Sequence, residues 1–291
     1  MAEIIQKDGT WSFDGDTVRI VPGSDKGVGP LRQALGEVTV PLDAVAGVSY
    51  EPGRKSGRLR LRLRGGADPL LQLAGGRLKD GSDPYQLSVE NDRSGVAEYF
   101  VDAVRNALLI EQISPEQVDR YLLPGPAVPI SATAGDGTVE FDGEQIRLSW
   151  NWKTEDAKSS GGPRTIAIGD VESVDWLPPA ALENGHLRFT VARIRSSAPA
   201  KYDPHAVELW GFRKDPLMAV VGAAVVARLP HPYAEEKPAA LTRGEPGPAA
   251  PPADDPDTLL RRLRELGELH RSGVLTDEEF TTAKQAVLKR L

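Results

Sequence analysis

Apolar and polar positions alternate in short runs along most of the chain, and one such arrangement occurs twice. Gly9 to Ile20 reads GTWSFDGDTVRI and Gly137 to Leu148 reads GTVEFDGEQIRL, with Gly, Thr, Phe, Asp, Gly and Arg at matching places. Each copy is two alternating runs joined by Asp-Gly, a dipeptide that favours the positive φ of a tight hairpin turn. Each is therefore expected to be the opening hairpin of a domain.

The pattern continues in the same order after both hairpins. In the first unit a Gly/Pro-rich loop, Pro22 to Pro30, precedes Glu37 to Leu42, where Val38, Val40 and Leu42 alternate as in a half-buried strand. Ala44 to Glu51, Gly57 to Arg64, Leu70 to Leu73 and Tyr85 to Glu90 are further strand candidates. Ser94 to Ile110 reads as a closing amphipathic helix with Val96, Phe100, Val101, Val104, Leu108 and Leu109 on one face and Ser94 as its N-cap. In the second unit Val171, Val174 and Trp176 match Val45, Val48 and Tyr50, and Leu187, Phe189 and Val191 match Leu59, Leu61 and Leu63. Asp203-Pro204 matches Asp83-Pro84, and the apolar run Pro216 to Leu229 takes the place of the closing helix. That run is expected to be buried in its own domain or against the other one.

These matches divide the chain into a first domain, 1–110, a linker, 111–129, and a second domain, 130–229. The linker opens with SPEQVDRYLL, which allows a short turn of helix, and ends in PGPAVP, a semi-rigid spacer. Pro230 to Pro256 holds eight prolines among Ala, Gly and Glu, so 230–255 is expected to be disordered. Residues 256–291 read as a helical hairpin. Leu259, Leu263, Leu266 and Leu269 follow Asp255-Pro256 at helical spacing, Gly273 ends that helix, and Thr276 with Glu279 caps the next, with Leu275 and Phe280 as a hydrophobic staple. A hairpin this small cannot bury both apolar stripes by itself. Leu259, Leu263, Leu266, Leu269, Leu275, Phe280 and Val287 are thus the expected oligomerisation or docking face.

Several residues resemble those of known families. Strands patterned as Val38 to Tyr50, a basic hairpin and a single closing helix resemble bacterial pleckstrin-homology-like (PH-like) domains. The tail resembles a SHOCT (short C-terminal) domain, with Gly273, Leu275, Thr276, Glu278, Glu279, Phe280 and Lys284 where its pattern places them. Together they resemble a bacterial family with tandem PH-like domains before a SHOCT tail. The resemblance implies an α+β, mostly β fold: two bent antiparallel sheets or partly open barrels, each with one C-terminal helix, then the Pro-rich linker and the helical hairpin. It implies no reaction. PH-like domains elsewhere bind phosphoinositides, peptides or proteins, and SHOCT tails are associated with oligomerisation or partner contact.

Composition narrows the chemistry. A net charge of −7 weakens the case for nucleic acid as a partner, and the absence of cysteine removes thiolate catalysis, disulfides and cysteine-ligated zinc. The start, MAEIIQKDGTW, lacks the regions of a signal peptide, and the longest apolar run, Leu217 to Ala227, would span only about 16 Å as a helix. A cytoplasmic protein, peripheral at most to the inner membrane face and without a transmembrane segment, is expected.

One stretch departs from the even charge: Arg54, Lys55, Arg58, Arg60, Arg62 and Arg64 carry six positive charges with no acid between them. On a strand, the arginines at 58, 60, 62 and 64 share one face while Leu59, Leu61 and Leu63 face the core. Such a face can hold an anion or an acidic partner, because guanidinium groups bind oxyanions in pairs. It equally suits a solvated face or an edge guarded against aggregation, and the second copy repeats the apolar partners without the charge. The loop after the first strand, where phosphoinositides usually bind in the resembling domains, is acidic here: Asp14-Gly15-Asp16.

No nucleophile elbow, phosphate loop or dinucleotide fingerprint occurs. His186, His205, His231 and His270 lack metal-ligand spacing. Trp150 and Trp152 are a contact point if exposed, but alternation with Leu148 favours core packing for both. The function expected is therefore a non-enzymatic scaffold or adaptor without cofactor, binding protein partners and self-associating or docking through its tail. Binding of anionic lipid through the basic strand is the alternative.

Overall fold

A computed structural model describes residues 1–194 and 196–234, together with residues 280, 281, 284 and 285. The first repeat begins with a four-stranded antiparallel sheet in sequence order: β1 (Ala2–Gln6), β2 (Gly9–Phe13), β3 (Thr17–Pro22) and β4 (Val38–Pro41). Strands β2 and β3 are the sequence hairpin, closing from Phe13 opposite Val18. Gly15 takes a φ of 122°, and the Asp14 carboxylate accepts the amides of Asp16 and Thr17. Gly143, at φ 112°, and Asp142 build the same turn in the second repeat.

This hairpin does not open either repeat. β1 precedes it, as β8 (Ile130–Ala134) precedes its counterpart. The alternation of β1 is confined to buried Ala2 and Ile4, and that of β8 to buried Ala132 and Ala134. Strands built on so few small apolar positions leave a faint pattern.

A second, three-stranded sheet follows: β5 (Val45–Glu51), β6 (Ser56–Leu63) and β7 (Gln86–Glu90), with β6 in the middle. Leu59, Leu61 and Leu63 enter the core as alternation requires. Two short helices are inserted, α1 (Pro30–Leu35) and α2 (Pro69–Ala74). The latter replaces the strand expected over Leu70 to Leu73. Asp68 accepts the amides of Leu70 and Leu71, Pro69 occupies the first turn, and Gly75 ends the helix in the left-handed conformation at φ 53°. These capping interactions outweigh the extended preference suggested by four mainly apolar residues.

Helix α3 (Ser94–Ile110) closes the repeat and buries Ala97, Phe100, Val101 and Val104, with Phe100 edge-on to Trp11. Ser94 is the first helical residue rather than the cap, because a short 3-10 turn, Asn91–Arg93, leads into it. Leu109, expected on the buried stripe, is 75% exposed.

The second repeat has the same order of strands and closing helix but, among the described residues, no counterpart of α2. Strands β8, β9 (Gly137–Phe141), β10 (Gln145–Trp150) and β11 (Arg164–Ala167) form one sheet, with α4 (Asp156–Ser159) between the last two. Strands β12 (Val171–Leu177), β13 (Gly185–Val191) and β14 (Ala206–Leu209) form the other, and α5 (Leu217–Val226) closes the repeat. The four sheets remain separate, and none closes into a barrel.

Helix α5 is buried from Met218 through Val226. An isolated repeat would leave one side of it in water. Here α1 and α2 of the first repeat lie against it, and Leu31, Leu70, Leu73 and Ala74 join the second repeat's core. Leu73 approaches Gly222 so closely that a β-carbon there would lie 2.6 Å from Leu73 Cδ2. Met1–Glu235 accordingly forms one compact unit.

The joining segment runs along the first repeat. Val118 donates to the Gly65 carbonyl, Leu122 and Leu123 donate to that of Ala67, and Leu123 is buried. These contacts take the place of the short helical turn expected in SPEQVDRYLL. The expected disorder of 230–255 and hairpin of 256–291 lie almost entirely outside the described residues.

Candidate interaction surface

Each repeat is tied together by an aspartate in its first hairpin. In the first, Asp8 accepts from the buried Arg32 of α1, at 2.9 Å, and from the Ser88 amide of β7. In the second, Asp136 accepts from the buried Lys158 of α4 and from the Glu208 amide of β14. Hairpin, inserted helix and last strand are held at one point, which fixes the sheets that carry the surface. Burial pushes the Asp136 carboxyl up and the Lys158 ammonium down, while their mutual attraction opposes both shifts.

The basic strand face is divided by its surroundings. Arg58 pairs with Asp80 at 2.8 Å. Arg64 donates to the carbonyls of Glu116 and Asp43, a structural use of its guanidinium. Arg54 and Lys55 lie exposed at the turn between β5 and β6, where the Arg54 carbonyl accepts from Asn91. Arg60 and Arg62 remain outside any ion pair among the described residues, opposite Ser49 and Gly47 of β5.

These two arginines line a cleft of about 620 Å³ between the outer side of β5 and the C-terminal half of α3. Its other wall carries Arg105, Leu108 and Leu109, and Glu51 is the acidic residue on its rim. Arg105 donates to the Val48 carbonyl at 3.2 Å, which holds its guanidinium against the strand edge. The cleft therefore combines three guanidinium groups, one carboxylate and two leucines. Arg105 was hidden in sequence, since nothing in its spacing relates it to a strand more than 40 residues earlier.

A second cavity, about 340 Å³, lies between α2 and the joining segment and contains Asp68, Tyr85, Leu35, Leu70 and Leu123. Two of its polar groups are occupied by each other, since Tyr85 donates to Asp68, which also caps α2, and a third, Glu37, pairs with Arg19. Burial raises both the Asp68 carboxyl and the Tyr85 phenol above their ordinary values.

The family model described as Domain of unknown function (DUF4429) matches residues 11–105 and again 139–226, one match on each repeat. The chain belongs to the DUF4429 family. A second model, the Short C-terminal domain (SHOCT), matches residues 261–288. No curated protein matches the sequence closely.

Outside the cleft, the DUF4429 repeats place other candidate residues as follows. Trp152 is 88% exposed, contrary to the core packing expected for it. The chain leaves β10 at Asn151, which bonds back to Gly135 and Asp136, so the inward alternation stops at Trp150. Lys153 sits over the rings of Trp152, Trp210 and Phe212 at 5.3, 5.3 and 5.7 Å. His186 contacts Asp175 at 2.7 Å, and His231 lies between Tyr121 and Tyr233 with Nε2 2.9 Å from the Gly66 carbonyl. His205 lies beside Asp203, whereas His270 is outside the described residues. Among the described residues no His, Cys, Asp and Glu side chains cluster to hold a metal ion, and no helix is long and apolar enough to cross a membrane.

Of the expected assembly face in the SHOCT region, Phe280 is helical and half-buried, with Lys284 Nζ 5.9 Å from its ring centre. Leu259, Leu263, Leu266, Leu269, Leu275 and Val287 lie outside the described residues.

Proposed function

We propose that the chain is a non-enzymatic cytoplasmic adaptor, in which two PH-like repeats hold protein partners and the SHOCT tail gathers copies together. The observation that carries this reading is the shared core: α1 and α2 of the first repeat complete the second, so both repeats act as one platform. The succession of four strands, three strands and a closing helix in each repeat supports the PH-like assignment. The cleft is broad and lined by cations and leucines, a surface suited to a macromolecular contact more than to acid–base chemistry. Assembly through the tail would raise the effective concentration of weak partner sites.

Light scattering after size exclusion, on the full chain and on a chain ending at Pro230, tests the assembly half of this reading. A defined oligomer that becomes a monomer on shortening supports it, and equal oligomeric masses per chain count against it.

A second reading, contact with an anionic membrane surface, draws support from the exposed Trp152 beside Lys153 and from Arg60 and Arg62. Tryptophan and cations together favour the lipid headgroup region. This reading predicts sedimentation with anionic vesicles that weakens with salt; salt-independent or absent sedimentation contradicts it.

A further inference from the structure

The two repeats differ at one equivalent place. In the second, edge strand β12 and helix α5 are covered by α2 of the first repeat, through Leu70, Leu73 and Ala74. Just beyond α2, Arg77 reaches Asp175 at 3.6 Å. Asp175 is the counterpart of Ser49, 126 residues earlier, which lines the cleft of the first repeat. There β5 and α3 stand in for β12 and α5; Leu59, the counterpart of Leu187 beside Leu73, is buried within its own repeat, but the place along the strand edge, beside Ser49 and α3, is the open cleft.

We propose that this open cleft is a docking site for a short, acidic, amphipathic helix of a partner protein, seated as α2 is seated in the second repeat. The inference rests on the adaptor reading and names the partner's chemistry. The chain itself supplies the precedent for a helix lying between this strand edge and this closing helix. The walls then select the occupant. The covered site is apolar around α5 and receives PLLQLA, an uncharged helix. The open site presents Arg60, Arg62 and Arg105 against the single carboxylate of Glu51, with Leu108 and Leu109 beside them.

The counterparts of Arg60 and Arg62, 128 residues on, are Arg188 and Thr190. Arg188 is turned to the Ala198 carbonyl and toward Asp203. The cationic wall is thus peculiar to the open site. An occupant with acids on one face and apolar residues on the other would meet both walls. Addition of an extended strand is disfavoured, because Arg105 already occupies the Val48 carbonyl at the middle of the edge.

The test is selection of short random peptides displayed against the full chain, repeated against Arg60→Ser/Arg62→Ser and against Leu109→Glu. These three side chains are exposed or lie at the cleft wall, and unchanged far-UV circular dichroism verifies the fold of each variant. The expected result is enrichment of peptides with Asp or Glu on one helical face and Leu, Phe or Met at helical spacing on the other. Their affinity should fall about tenfold or more in both variants. Absence of such enrichment, or equal binding by the variants, overturns the proposal. So does selection of extended acidic peptides, or arginine-dependent binding to phosphatidylglycerol vesicles with no helical peptide selected. Tail-dependent assembly is read separately by light scattering, so failure here would remove this docking site without removing the adaptor reading.

Discussion

Lys158 reaches Asp136 where neither side chain is open to water, and Arg32 reaches Asp8 at the equivalent place 126 to 128 residues earlier. The two cations differ in type, but each joins an inserted helix to a hairpin aspartate that also holds the last strand. Removing one member leaves the other as an uncompensated buried charge. Asp136→Ala should therefore cost about 3–5 kcal/mol in unfolding free energy. Asp136→Ala combined with Lys158→Met should recover part of that loss, because no charge is left stranded. Urea titration of the three proteins checks both statements.

The shared core predicts joint unfolding of the repeats. Leu73→Ala should cost about 2–5 kcal/mol, since it opens a cavity against Gly222 although Leu73 belongs to the first repeat. Four of the five tryptophans lie in the second repeat, so fluorescence follows that repeat while circular dichroism follows both. The two signals should shift together as one transition in the Leu73→Ala chain. Separate midpoints would show that the repeats unfold independently.

Asp68 caps α2 and accepts from the Tyr85 hydroxyl in the interior. Its loss in Asp68→Ala should cost about 1 kcal/mol for the cap and a further 1–3 kcal/mol for the stranded hydroxyl. Asp68→Asn keeps an acceptor and should cost less. Burial raises the Asp68 carboxyl, so its neutral form is the one favoured by folding. That contribution is complete below the unfolded-state value and is lost as pH rises through the folded value. The wild-type chain should accordingly lose stability relative to Asp68→Asn as pH rises through that window.

The hairpin turns behave oppositely. Backbone amides donated to Asp14 and Asp142 hold both carboxyls below the ordinary range. Their stabilisation is present above the unfolded-state value and is lost as pH falls through the folded one. Carbon-detected NMR titration should find both midpoints lower than those of an unstructured Asp. Values at or above the unstructured one would contradict the turn geometry.

The repeat and the inward strand faces were legible because burial on one side of a strand imposes a period of two, as at Leu59, Leu61 and Leu63. Helix α3 was legible for the equivalent reason at a period near 3.6, whereas α5, apolar on every side, was legible only from its place in the repeat. What was hidden depends on partners far away in sequence. Leu70 to Leu73 reads as a strand until Asp68, Pro69 and Gly75 are recognised as helix stops; Leu70 and Leu73 then join the core around α5 of the other repeat, while Leu71 packs on the core of its own. The basic strand was visible as charge, but Asp80 and the Glu116 carbonyl divide it, and Arg105 enters from α3. Trp152 escapes the alternation because β10 ends at Trp150, two residues before it.

Helix α2 covers the edge of β12 in the second repeat, whereas the edge of β5 in the first is open. The chain has no cysteine, so a single introduced thiol can read each. We would compare the labelling rates of Leu73→Cys, at the covered site, and Leu109→Cys, at the open one, in the folded full chain. Leu109→Cys should react nearly as fast as in denaturant, whereas Leu73→Cys should be strongly protected. Rapid labelling of Leu73→Cys, or protection of Leu109→Cys, would contradict this arrangement.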